Sequence, residues 1–141
     1  MLIGEYYHSI DAKGRLIMPV RFRDDLGDNF VVSKGLDNCL YAYSIPEWER
    51  FERLISSQKS AESRMLQRFF FSGATECETD SQGRIVIPQP FREFAGLKKD
   101  VVVLGVHNRA EIWDKEKWSG YMQNDAFSAD AIADAMEKLG L

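Results

Sequence analysis

Lysine and arginine gather in one short stretch of a chain that is acidic overall. Residues 11–23 read D-A-K-G-R-L-I-M-P-V-R-F-R and set Lys13, Arg15, Arg21 and Arg23 against Asp11 alone, a local charge of +3. The whole chain carries −4 at pH 7. The seven acids and three lysines of residues 111–138 account for all of it, so residues 1–110 are neutral in sum. Phosphate binding depends on local positive surface, not on whole-chain charge. Arg15 leaves a glycine-containing turn at the start of a strand, where a rigid strand end holds its guanidinium. Held that way, it can bond a phosphate through two nitrogens or read O6 and N7 of guanine. Lys13, at the turn tip, suits phosphate as a flexible point charge. Arg21 and Arg23 alternate around Phe22, a core candidate, near the first turn of a short helix.

The same stretch occurs twice. Residues 80–96 read D-S-Q-G-R-I-V-I-P-Q-P-F-R-E-F-A-G and match residues 11–27 without a gap at Asp, Gly, Arg, Pro, Phe, Arg and the final Gly. Phe30-Val31-Val32 is echoed by Val101-Val102-Val103, and Tyr43 with Trp48 by Trp113 with Trp118. An internal repeat implies two copies of one structural unit. Each copy spans roughly 50 residues, too few to bury enough surface alone, so the halves are expected to fold by packing on each other. The second copy is weaker in charge: Gln82 replaces Lys13 and Pro90 replaces Arg21, leaving Arg84 and Arg92 against Asp80. The first copy is therefore expected to dominate any DNA contact.

Turn and cap signals outline the elements that position these residues. Glu5–Ser9 reads as a strand, Asp11–Gly14 as a tight turn, and Arg15–Met18 as the returning strand. Pro19 suits the first turn of a helix over Val20–Leu26, closed by Gly27 in a left-handed cap. Phe30–Ser33 and Cys39–Tyr43 form a second hairpin. The second copy gives Ala74–Glu78, a turn at Asp80–Gly83, Arg84–Ile87, a helix from Gln89 to Ala95 behind Pro88, then Val101–Leu104 and Glu111–Trp113. Two helices join the copies, Glu47–Ser57 (starting at Ser44 or Pro46) and Ala61–Phe71. Ser128 starts a last helix to about Leu139, with Ala129, Ile132, Ala133 and Met136 as its apolar stripe. One domain results, with repeats over 5–48 and 74–118, linker helices over 49–73 and an acidic helical tail over 119–141. Asp11, Gly14, Pro19, Asp80, Gly83 and Pro88 are read as structural, the aspartates as braces of their turns. Arg15 is read as a DNA contact, and Arg84 either way. Phe69-Phe70-Phe71 is expected to divide between core and subunit interface.

The two copies, D-A-K-G-R-L-I-M-P-V-R-F-R and D-S-Q-G-R-I-V-I-P-Q-P-F-R, resemble the D-x-x-x-R signature of the MraZ family, built from two repeats of the AbrB/SpoVT type. The approach Arg68-x5-Ala74-x-Glu76-x-Glu78-x-Asp80 and the ending Glu111-Ile112-Trp113-Asp114 followed by Trp118 are also similar to that family. The resemblance runs from about residue 1 to about residue 120. It implies an α+β, mainly β fold: a swapped-hairpin (double-split β-α-β) pseudo-dimer barrel with flanking helices. It also implies ring-shaped homo-oligomers that bind direct repeats upstream of the division and cell-wall gene cluster, usually as a repressor. DNA-contacting residues would be Lys13, Arg15, Arg21, Arg23, Arg84 and Arg92, with no metal or cofactor.

Other classes find less support. No G-x-S-x-G, phosphate-binding glycine loop, H-E-x-x-H or Cys–His pairing is present, so no catalytic residue is assigned. Residues 1–10 lack the pattern of a signal peptide, and the longest apolar runs are too short to cross a membrane. Cys39 and Cys77 lie in different halves without a C-x-x-C pair, which fits a reducing cytoplasm; a regulator of the resembled family would there be nucleoid-associated. Two rivals stand beside the regulator. One is a ring-forming scaffold that binds no DNA, kept open by the net acidity. The other is an AbrB-like antitoxin, against which the full duplication argues.

Overall fold

A computed structural model describes residues 1–141. Eight strands and six helices follow in the order β1 (Leu2–Ser9), β2 (Arg15–Ile17), α1 (Val20–Leu26), β3 (Asn29–Lys34), β4 (Leu40–Ser44), α2 (Ile45–Ser56), α3 (Ala61–Phe71), β5 (Thr75–Glu78), β6 (Arg84–Val86), α4 (Gln89–Ala95), β7 (Asp100–His107), β8 (Ala110–Asp114), α5 (Lys115–Met122) and α6 (Ala129–Lys138). The class is α+β with antiparallel pairing throughout. The bounds of α1, α3 and α4 agree with the sequence reading. α5 does not figure in it: Asp114, the last residue of β8, caps this helix by accepting a bond from the Lys117 backbone N–H.

Strand pairing explains why the two copies need each other. Six strands form one sheet in the order β1-β7-β8-β4-β3-β5, and β2 pairs with β6 in a separate ribbon. Only the β3–β4 and β7–β8 hairpins lie within one copy. The other ladders, β1 with β7, β3 with β5, β4 with β8 and β2 with β6, join one copy to the other. The order reads the same from either edge once each strand is exchanged for its equivalent, so an approximate twofold axis passes between β4 and β8. No closed barrel forms. The six-stranded ladder stays open at β1 and β5. The ribbon beside it is three residues long, ended by Met18-Pro19 and Ile87-Pro88, whose prolines have no N–H to extend it.

Both faces of the large sheet are covered. Phe30, Val32, Leu40, Ala42, Val101, Val103, Ala110 and Ile112 face one core with Leu16 and Ile85 of the ribbon and Phe22 and Phe91 of α1 and α4. The alternate residues Val31, Tyr41, Tyr43, Val102, Leu104 and Trp113 face a second core with Trp48 and Phe70 of α2 and α3. Uninterrupted apolar strands such as Val101–Leu104 follow from burial on both sides. The echoed aromatic pairs recur as equivalent contacts, Tyr43 to Trp48 at 5.7 Å and Trp113 to Trp118 at 5.3 Å between ring centres. Phe70 is buried; Phe69 and Phe71 are half-buried against the same core.

Strands β1 and β7 run further than their sequence signals. Gly4 and Gly105 look like strand ends, yet they pair with each other inside the ladder. A Cβ on Gly105 would stand 2.5 Å from the Leu2 carbonyl carbon, so here glycine permits a close approach of two strands instead of stopping them. Gly27 closes α1 with φ 85° and ψ 175°, not in the left-handed helical region expected; Gly96, after α4, does lie there. Cys39 and Cys77 are buried free thiols. Burial pushes both up, Cys77 to about 11, so neither is a thiolate at neutral pH. No helix is long and apolar enough to cross a membrane.

Candidate nucleic-acid interface

The two D-x-x-G-R turns have one geometry. In the first, the Asp11 carboxylate accepts the backbone N–H groups of Lys13 and Arg15, each at 2.9 Å, and Arg15 Nε at 2.6 Å. In the second, Asp80 accepts the N–H groups of Gln82 and Arg84, each at 2.9 Å, and Arg84 Nε at 2.8 Å. Gly14 and Gly83 take φ of 79° and 75°, which side chains with a Cβ resist. Each aspartate accepts bonds from two backbone N–H groups of its own turn. They also fix the arginines, and because each pair uses Nε, both terminal nitrogens of each guanidinium stay available. The arginine side chains are not buried: Arg15 is 32% exposed and Arg84 24%.

The ribbon sets the two arginines on one face. Arg15 lies opposite Val86 and Ile17 opposite Arg84, while Leu16 and Ile85 between them point into the core. The outer face therefore shows two arginines on a diagonal with Ile17 and Val86, both exposed, on the other. Two residues along the strand and one strand across put the arginine Cα atoms about 8 Å apart. Lys13 is exposed at the first turn and Arg21 on α1.

Arg23 on α1 and Arg92 on α4 reach across to the other repeat. Each follows its own turn in sequence but lies against the turn of the other copy, Arg92 beside Gly14 and Arg23 beside Gly83. Each keeps its Nε buried without a hydrogen-bond partner. The first corner thus gathers Lys13, Arg15 and Arg92 around Asp11, and the second Arg84 and Arg23 around Asp80. Spacing within one copy gave no signal of this exchange. Because one arginine replaces another at each corner, the charge difference between the two corners is unchanged.

The Asp11 carboxyl is held below the usual carboxylate range, first by the Arg15 backbone N–H and then by its guanidinium and the Lys13 N–H, against a desolvation that pushes upward. Asp80 is lowered in the same way by Arg84 and Gln82. A lowered folded pKa makes the contribution of each brace complete above the ordinary value of about 3.9 and lost as pH falls through the folded value. Carbon-13 titration of the side-chain carboxyls is expected to show both groups titrating below that value. In Asp11→Asn only the Asp80 transition should remain so lowered. Two unshifted transitions near 3.9 would contradict the brace geometry.

The sequence model of the family described as "MraZ protein, putative antitoxin-like" matches the chain twice, over residues 1–69 and 70–139. Proteins named "Transcriptional regulator MraZ" from Acetivibrio thermocellus and Alkaliphilus metalliredigens are each 52% identical to it over 143 aligned residues. One from Halothermothrix orenii is 50% identical, and all three alignments cover both chains in full. With one family match on each copy of the duplicated turn and half of all positions shared across whole chains, the protein belongs to the MraZ family.

Proposed function

We propose that this protein is a transcription regulator that binds double-stranded DNA through the two arginine corners of the β2–β6 ribbon. The observation that carries this reading is the pre-oriented pair Arg15 and Arg84, each held through Nε on a strand end with its terminal nitrogens free. A two-stranded ribbon is one of the shapes that the major groove of B-DNA admits, and arginine is the side chain best matched to guanine there. Lys13 and Arg21 add phosphate contacts. Arg23 and Arg92 contribute charge at the base of the corners. The names of the full-length relatives point the same way. The exchange of strands between copies is read as the swapped-hairpin pseudo-dimer of AbrB/SpoVT proteins, working in the cytoplasm at the nucleoid.

A mobility shift on the region upstream of the protein's own gene, repeated over a salt series, tests this. Counterion release makes log affinity fall linearly with log salt, with a slope of about −0.9 for each phosphate neutralised. A steep negative slope and preference over a scrambled duplex are expected. Salt-insensitive or absent binding would leave the scaffold reading instead.

One corner pair is a small footprint, so affinity is proposed to come from several subunits of a ring meeting direct repeats spaced by about one helical turn, roughly 10 bp. Apolar side chains suited to self-association stand exposed on α2 and α3 (Leu54, Met65, Leu66) and on α6 (Ile132, Met136). A Leu54→Glu, Met65→Glu double variant is expected to lower the molar mass in light scattering toward that of a single chain, while its circular dichroism stays unchanged. An unaltered mass would remove this face from the assembly.

A further inference from the structure

Arg23 and Arg92 point to a dependence between the repeats. A Cβ built on Gly14 would stand 3.1 Å from Arg92 Cζ and 3.3 Å from its Nε. One built on Gly83 would stand 2.5 Å from Arg23 Cζ and 3.0 Å from its Nε. The guanidiniums therefore occupy the space that the missing side chains leave free. Both Nε atoms are buried and unpartnered, and neither guanidinium enters an ion pair. A backbone bond runs beside each contact: Ile87 N–H donates to the Gly14 carbonyl at 2.8 Å, and Met18 N–H to the Gly83 carbonyl at 3.0 Å. Leaving a buried guanidinium nitrogen without a partner is unfavourable, yet it recurs at equivalent positions in two copies whose neighbouring cations differ.

We infer that Arg92 and Arg23 are positioning residues that act across the repeats, Arg92 ordering the turn that carries Arg15 and Arg23 ordering the turn that carries Arg84. A planar guanidinium can cover a glycine peptide at close range and shield the turn from water; a lysine ammonium has no such plane. Each corner is then a composite. Its aspartate and arginine come from one copy, and the residue that holds the turn in place comes from the other. The purpose of the corner rests on the DNA-binding reading, but the brace is a property of the free protein.

Amide hydrogen exchange on the unbound full-length chain tests it. Arg92→Ala is expected to speed exchange at Lys13 and Arg15 by about tenfold or more while leaving Gln82 and Arg84 within about twofold, and Arg23→Ala to do the reverse. Arg92→Lys keeps the stem and the charge. It is expected to loosen the same turn, and it carries the test if the alanine variant does not fold. Equal acceleration at both turns, acceleration in the variant's own repeat, or no change in any folded variant overturns the proposal. Affinity for the upstream DNA is measured in parallel. Loosening across repeats with wild-type affinity keeps the brace and removes the DNA role of the corner; unchanged exchange removes the brace whatever the affinity.

Discussion

Arg15→Ala is expected to weaken binding to the upstream DNA by about fivefold to 150-fold for each corner engaged, the range of one bidentate arginine–guanine contact at about 1–3 kcal/mol. Discrimination should fall with it. If Arg15 reads a base edge, the variant loses more affinity for the cognate duplex than for a scrambled one, and the ratio of the two moves toward unity. Lys13→Ala is the contrast. A phosphate contact weakens both duplexes alike and lowers the magnitude of the salt slope by about 1. Arg15→Lys is not expected to rescue, because an ammonium cannot offer two parallel donors.

Part of the Arg15→Ala loss comes from Asp11. With its partner removed, the Asp11 carboxylate still accepts two backbone N–H groups but presents an unneutralised charge to the phosphates. Combining Arg15→Ala with Asp11→Asn separates the two contributions. If repulsion matters, the double variant binds more tightly than Arg15→Ala alone while remaining weaker than wild type. Anisotropy titrations that place Arg15→Ala level with wild type on both duplexes would remove this residue from the interface.

The turns were legible in the sequence because their chemistry is local. Asp, Gly and Arg at fixed offsets specify a carboxylate that caps the turn, a positive φ and a strand start, and the coordinates show these features twice. The ends of α1 and α4 were legible because Pro19 and Pro88 precede them and Gly27 and Gly96 follow. What depended on distance was not. Arg23 and Arg92 each lie three positions after the first residue of their helix, and nothing within one copy reveals that a glycine 60 or 78 residues away marks their destination. The Gly4–Gly105 pairing hid the ends of two strands for the same reason: a glycine admitted for close backbone approach looks like a glycine that breaks a strand. Asp114 could have been recognised as a helix cap, since Glu116 and Lys117 follow it.

Cutting the chain between Phe69 and Phe70, where one family match gives way to the next, is expected to abolish folding of either piece alone. The first piece would keep only the β3–β4 ladder and the second only β7–β8, and an isolated two-stranded hairpin is marginal in water. All ladders of β1, β2, β5 and β6 would be lost. Phe22, Phe30, Ile85 and Ile112, buried together in the first core, would be divided between the pieces and exposed to solvent. The loss is therefore of the order of the whole folding free energy, about 5–15 kcal/mol for a domain. Each piece alone should show no cooperative thermal transition by circular dichroism. Mixed in equal amounts they should regain one, with a midpoint that rises with concentration because folding has become association. A piece that unfolds cooperatively as a monomer, at a midpoint independent of concentration, would show that the duplication encodes two self-sufficient units, and the cross-repeat ladders could not then be what holds the arginine corners in place.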